Sequence, residues 1–409
     1  MKGTFRSLAG RDFRLFFFGQ VVSLMGTWTQ EVALSWITYR VTGSAFLLAL
    51  VAFSSQVPMF LAMPLGGKLA DKFPKRSIMV CANLVDMTVA TVLAYLAYKH
   101  AINIEVLVIG ALTLGLSGAM EMPSRQALIA EIVPDKRMMT NAIALNSLAF
   151  NSARLTGPAL AGIVLSLTSD SACFGINALS YLFSIFTLLA IHPKKVMRKK
   201  IEGSMRGALD YIRNFLPARW LLLNVAVASF TTAPFMTFMP VFAKDVFHGG
   251  PDMLGTLMGT TGCGALCAAF YLANSRSVKN VGNRLILAIF CTGFAGLLFS
   301  HNHLLTLALP IVFVSGAAFI LSVTSCNMML QSLVEEHLRG RVMAFYTMSA
   351  IGMMPLASLS FGFIVRHFGI QVVFIIAGSI ALIFGLVLRR QIPAINALAH
   401  PVLAAKGLI

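Results

Sequence analysis

The stretch Gly66 to Ser77 reads GGKLADKFPKRS. The chain on either side of it is apolar: LLALVAFSSQVPMFLAMPL precedes it and IMVCANLVDMTVATVLAYLAY follows. Lys68, Lys72, Lys75 and Arg76, the acid Asp71, two glycines and Pro74 are thus crowded into a short polar break between two long greasy runs. Each run is long enough to cross about 30 Å of hydrocarbon as a helix, which makes the break a loop at one membrane surface.

Composition extends this reading to the whole chain. Of its 409 residues, 57% are hydrophobic and only 11% are charged, against about a quarter charged in a soluble domain. Twelve apolar segments can be placed, near residues 15–40, 44–66, 77–98, 104–123, 138–167, 171–191, 219–243, 252–273, 285–300, 304–328, 342–365 and 370–388. No A-x-A-like cleavage site follows the first, so it is expected to remain as a span. The expected fold class is an all-α membrane protein of twelve transmembrane helices.

The formal net charge is +17, and its distribution excludes a nucleic-acid footprint. All but five of the 32 lysines and arginines fall at the termini or on one set of alternate connections. Arg40, Lys99, Lys244 and Arg366 fall on the other side, and Arg154 lies within a span. This is the positive-inside pattern, and it places both termini in the cytoplasm. The six cysteines all lie in apolar segments and form no C-x-x-C pair, so neither a disulfide framework nor a metal site is expected. No Walker loop, nucleophile elbow or metal constellation is present, so we expect neither an enzyme nor an ATP-driven pump, and no cofactor.

The most basic region, His192 to Arg219, falls mid-chain. It divides the sequence into an N-terminal six-helix bundle (1–191), a cytoplasmic linker (192–218) and a C-terminal six-helix bundle (219–409). Residues 204–215 of the linker have the pattern of a short amphipathic surface helix. The halves look related. QALIAEIVPDKR from Gln126 and QSLVEEHLRGRV from Gln331 match at Gln126/Gln331, Leu128/Leu333 and Glu131/Glu336, at the same place in each half. Duplicated halves of this kind are a transporter architecture.

With these features in place, GGKLADKFPKRS resembles the signature loop of the major facilitator superfamily through Gly67, Asp71, Lys72, Lys75 and Arg76. The resemblance implies the major facilitator fold, two pseudo-symmetric six-helix bundles. It also implies a conformational latch in which Asp71 meets the start of span eleven. Arg125 is grouped with the latch, and Gly67 is expected to let two helices approach closely. The second-half copy of the loop, YLANSRSVKNVG, lacks the acid. Trp36 to Gly67, Glu121 to Pro134, Ala153 to Gly162 and Leu338 to Val342 resemble the drug- and siderophore-exporting branch that includes the enterobactin exporter. Gly157, Pro158 and Gly162 look like its antiporter-type Gly-Pro signature, expected to thin and bend span five.

Charges inside spans are costly and mark function or pairing. Here they are Glu31, Asp86, Glu121 and Arg154, the candidates for ion coupling. Asp86 is ten residues past Arg76, about 15 Å deep at helical rise. Its other reading is a structural acid, and Glu121 has the alternative of pairing with Arg125. Glu31 and Arg154 each stand sixteen residues along outward-running spans, and this matched depth suggests a pair. Gln20, Gln30, Gln56, Asn146, Asn224 and Asn327 are expected to face a central cavity, with Phe235 and Met239 adding apolar lining; lipid contact and helix packing are the other reading of such a stripe. The expected function is secondary, proton-coupled export of a small amphipathic molecule, siderophore or drug-like, by alternating access. The alternative is a lipid or lysolipid mover of the same fold. The expected setting is a monomer in contact with lipids of the inner (cytoplasmic) membrane, with a small molecule and protons as partners.

The topology has a direct test. In a background without native cysteines, cysteine at Ser169 and at Gly203 should label from opposite sides of the membrane; labelling from one side would end the twelve-span reading.

Overall fold

The structure, a computed structural model, describes residues 6–133, 135–193, 205–274 and 281–406. Its secondary structure is helical throughout: α1 (Arg11–Thr42), α2 (Ala45–Lys72), α3 (Lys75–Tyr98), α4 (Ile104–Ile132), α5 (Met139–Leu167), α6 (Asp170–Leu189), a short α7 (Met205–Asn214), α8 (Leu216–Thr237), α9 (Pro251–Asn274), α10 (Val281–Ser300), α11 (Leu305–Leu333), α12 (Glu336–Phe368) and α13 (Ile370–Ala405). Beyond α8 the chain turns through Met239–Val241 into a π-helical turn, Phe242–Val246. Side chains set several helix starts: Ser44, Asn103 and Ser169 each accept the backbone N–H three residues on, at α2, α4 and α6. Gly43 ends α1 with φ of 61°, a left-handed cap that glycine takes without penalty.

Eleven helices, α2 to α6 and α8 to α13, are long and apolar enough to cross a membrane. The expected first span is α1, which has ample length at 32 residues. It is the most polar of the set because Gln20, Thr27, Thr29, Gln30 and Glu31 interrupt it. Large apolar side chains such as Leu61, Ile109, Leu179, Phe186, Phe270, Leu287, Phe294 and Leu298 are exposed. So much outward apolar surface is stable in hydrocarbon, not in water. Several helices outrun the expected spans: α2 continues to Lys72, α4 to Ile132, α11 to Leu333 and α13 to Ala405. Hydropathy marks where hydrocarbon ends, whereas a helix ends where its backbone is capped.

The chain forms two compact units. The first comprises residues 1–198 and 240–259, the second 199–239 and 260–409. Residues 194–204 of the expected linker lie outside the described residues, as do 275–280 of the second-half loop. Residues 240–259, assigned to the second half by chain order, group with the first unit. The physical reason is contact with α1 and α5. Gly162 of α5 faces Gly255, whose Cα is 3.1 Å from where a Gly162 Cβ would stand. The Tyr39 hydroxyl donates to Asp245 Oδ2, and Lys244 Nζ lies 5.4 Å from the centre of the Tyr39 ring.

Within each unit the same pairings recur. In the first, α1 packs on α5 and α6, and α3 on α4 and α6. In the second, α8 packs on α12 and α13, and α10 on α11 and α13. Glycine lets further pairs touch backbone to backbone. A Cβ on Gly66 would fall 2.0 Å from the Ala119 carbonyl oxygen, and one on Gly115 2.0 Å from that of Ser55. These two contacts join α2 to α4. In the second unit a Cβ on Gly264 would fall 1.9 Å from the Phe313 carbonyl oxygen and one on Gly316 2.0 Å from that of Thr261, joining α9 to α11. The expectation for Gly67 is corrected here. Nothing lies within 4 Å of its Cβ position, and its neighbour Gly66 is the residue that makes the close approach. The short α7 packs Ala208, Tyr211 and Ile212 into the core of the second unit, with Val334, Val342 and Ala399.

Gly115→Ala has no room for its methyl group and should cost about 1–3 kcal/mol of stability, as overpacking does. Gly175, with nothing within 4 Å, should accept alanine with no loss and a helix-propensity gain of up to about 1 kcal/mol. Thermal unfolding of the two purified variants checks the contrast.

Candidate transport site

The residues of the basic loop organise one end of the first unit. Lys75 Nζ lies 2.9 Å from Glu131 Oε1, tying the start of α3 to the end of α4. The Arg76 guanidinium donates to the Ile191 carbonyl at 2.8 Å, just beyond α6, where a helix C-terminus favours a cation. Asp71 and Lys72 stand exposed at the end of α2. Arg125 pairs with Glu121 one turn away at 3.0 Å, and its Nε is buried with no acceptor among the described residues.

That ion pair belongs to a larger polar cluster inside the unit. Asp86 of α3 is 4% exposed, and its Oδ1 has no hydrogen-bond partner among the described residues. The groups bearing on it are Ser117, Glu121 and Arg125, all from α4. Tyr181 of α6 interacts electrostatically with the same two carboxylates, and its hydroxyl lies 3.1 Å from Thr27 Oγ1 of α1. Around this centre Asn177 Nδ2 donates to Gln30 Oε1 at 2.9 Å, and Asn83 Nδ2 donates to Ser184 Oγ at 2.8 Å. Four helices therefore contribute polar groups to one region that holds the buried Asp86 and the half-buried Glu121 and Arg125. Ser117, Tyr181 and Asn177 were not singled out from sequence, because hydroxyls and lone amides are common in spans. Only the packing shows where they converge.

Glu31 and Arg154 form a second charge centre, where α1 meets α5. The two interact electrostatically, and the Arg154 guanidinium carbon lies 5.9 Å from the centre of the Trp28 ring. Glu31 is accessible despite its depth in the span. Gly157 permits this packing, since a Cβ there would strike Trp28 Cβ at 2.4 Å. Next to it, the Pro158 carbonyl oxygen meets Gly255. The segment from Gly157 to Gly162 thus thins α5 for contact on both sides.

The expected cavity residues divide. Gln56, Asn146 and Asn327 are partly exposed. Gln20, Gln30, Asn224, Phe235 and Met239 are buried in helix packing, which corrects their assignment to an open cavity. Gln30 is bonded to Asn177, as above. Asn224 Nδ2 donates to Ser322 Oγ at 2.7 Å and to Cys326 Sγ at 3.3 Å. The Phe235 ring centre lies 4.9 Å from that of Phe374 and 5.4 Å from that of Phe299, an aromatic core. The six cysteines are free thiols, and among the described residues no cluster of His, Cys, Asp or Glu is placed to hold a metal.

The family model described as "Transmembrane secretion effector" matches residues 2–404. The chain belongs to this family of the major facilitator superfamily. Over 372 residues, 89% of the chain and 92% of the relative, it is 26% identical to the staphyloferrin A transporter of Staphylococcus aureus. Over 94% of both chains it is 23% identical to the multidrug efflux pump Tap of Mycobacterium tuberculosis. In fold it resembles a POT family transporter solved with 5-aminolevulinic acid, with a TM-score of 0.77, 9% identity, and coverage of 95% of this chain and 97% of that one. It is therefore a multi-pass membrane transporter with a small-molecule substrate, and its named relatives are transporters, not enzymes.

Pairing between Glu31 and Arg154 predicts a non-additive mutant cycle. Arg154→Ala leaves an acid uncompensated within the span and should lower folded yield more than the double change Glu31→Gln with Arg154→Gln. Yield is read by size-exclusion chromatography of the detergent-extracted protein. A double variant as damaged as both singles together would exclude the pair.

Proposed function

We propose that the protein is a proton-coupled exporter of a small amphipathic molecule, siderophore or drug-like. On this reading it works as a monomer by alternating access in the cytoplasmic membrane, with both termini in the cytoplasm. The observation that carries proton coupling is Asp86, a buried carboxyl with an unpartnered oxygen, set beside the Glu121–Arg125 pair. With both acids ionised, the cluster of Asp86, Glu121 and Arg125 holds one excess negative charge in an apolar interior, and a single proton balances it. Uptake and release of that proton gives the cluster two charge states, which two conformations of the transporter can favour differently. The lysine- and arginine-rich connections support the orientation. The siderophore transporter and the multidrug pump among the relatives support the substrate class and the export direction.

Asp86→Asn removes the proton-binding group and keeps the shape. In proteoliposomes the variant should lose gradient-driven substrate movement while retaining gradient-free exchange and a wild-type folded yield. Substrate movement that still follows the pH gradient as in the wild type would remove Asp86 from coupling.

A further inference from the structure

The second unit contains a cavity of about 530 Å³ at the end where α11 stops, α12 starts and α13 finishes. That volume lies within the range of small-molecule sites, roughly 300–1,000 Å³. One wall is a single face of α11, where Thr324, Asn327, Met328 and Gln331 recur at helical spacing. The opposite lining brings in Arg339 from the first turns of α12 and Lys406 from the end of α13.

The chemistry of this lining is one-sided. Lys406 Nζ donates to the Ser332 carbonyl at 2.7 Å, which fixes an ammonium at the C-terminus of α11. Three N–H groups radiate from an ammonium, so binding these carbonyls does not exhaust it. Arg339 Nε is buried and has no acceptor among the described residues. Gln331 Nε2 donates to Asn327 Oδ1 at 2.6 Å, leaving Gln331 its second N–H. Among the described residues no carboxylate lines the cavity. Of the nearby acids, Glu335 is exposed and lies 3.3 Å from His337 Nδ1, and Glu336 is exposed. Among the described residues, two cations and several amide donors therefore converge without an acidic acceptor, and a buried guanidinium N–H lacks its partner. A group with several anionic oxygens satisfies all of these donors at once, and charge-assisted hydrogen bonds are the strong ones. An apolar ligand would leave them unpaired at a cost.

We propose that this cavity is an anion-binding site for a carboxylate- or phosphate-bearing group, carried by a soluble small molecule or by the headgroup of an anionic phospholipid. The site stands on the geometry of the second unit alone and does not require proton coupling.

The test uses the full chain in nanodiscs. In phosphatidylcholine discs, citrate and inorganic phosphate are titrated calorimetrically. In mixed discs, retention of phosphatidylglycerol over phosphatidylcholine is read by native mass spectrometry. At least one probe should bind the wild type. Its affinity should fall roughly 10-fold or more in Arg339→Gln, as loss of a charged hydrogen-bond partner implies, and recover in part in Arg339→Lys. Arg390→Gln, which removes an exposed cation of α13 outside the cavity, should leave it unchanged. Binding of citrate or phosphate identifies a soluble ligand, and selective retention of phosphatidylglycerol identifies a lipid. If Arg339→Gln fails to fold, Gln331→Leu, which removes donors without removing charge, takes its place in the comparison. The proposal is overturned if no probe binds the wild type above the phosphatidylcholine background. It is equally overturned if the cavity variant and Arg390→Gln bind alike.

Discussion

The close passage of α2 against α4 is the constraint from which the first unit follows. Lipid gives apolar helices no hydrophobic reason to associate, so they are held by contact and by polar pairing. At Gly66 and Gly115 a carbonyl of the partner helix occupies the space a side chain would need. Two such points fix both the separation and the rotation of α4. With Gly115 turned toward α2, Ser117, Glu121 and Arg125 further along α4 bear on Asp86 of α3. The polar centre is thus positioned by glycines that carry no chemistry themselves. Gly264 and Gly316 do the same for α9 and α11.

The span pattern was legible because lipid imposes it: apolar length is written directly in the chain. Helix ends were less so. The apolar run of α13 stops before Arg389 and Arg390, yet the helix continues to Ala405 and buries Ile392, Ile395, Ala399 and Leu403 against the second unit. The grouping of residues 240–259 with the first unit was not legible for a different reason. What places them with the first unit is Gly255 meeting Gly162 and Asp245 meeting Tyr39, contacts between residues far apart in sequence.

The candidate site was half legible. Charges in spans are rare enough to be noticed, so Glu31, Asp86, Glu121 and Arg154 stood out. Depth alone did not show that Asp86 and Glu121 bear on the same tyrosine, because that depends on how α3, α4 and α6 pack. Uncharged polar residues misled in the opposite direction. An amide in a span is relieved by one partner on a neighbouring helix, as Gln30 is by Asn177 and Asn224 by Ser322. Such a residue marks a helix contact as readily as a lumen. Phe235 and Met239 belong to the same lesson, since an apolar stripe has more packing partners to choose from than ligands. Arg339 and Lys406 escaped notice because basic residues at span ends are accounted for by topology.

The two units share their helix pairings but not their buried chemistry. The register that aligns Gln126 with Gln331 sets Cys326 opposite Glu121 and Leu330 opposite Arg125. In the second unit both positions are fully buried, and the Cys326 thiol takes a hydrogen bond from Asn224 where the first unit has an ion pair. A thiol and a leucine leave no charge to balance within the α11 span. The acids described for the second unit, Asp210, Glu335 and Glu336, lie on α7 and around the start of α12, outside the apolar spans. Its charged cavity is likewise at a helix end and is cationic. Divergence of the repeats has thus left acids within the spans of one unit and a cationic helix end in the other.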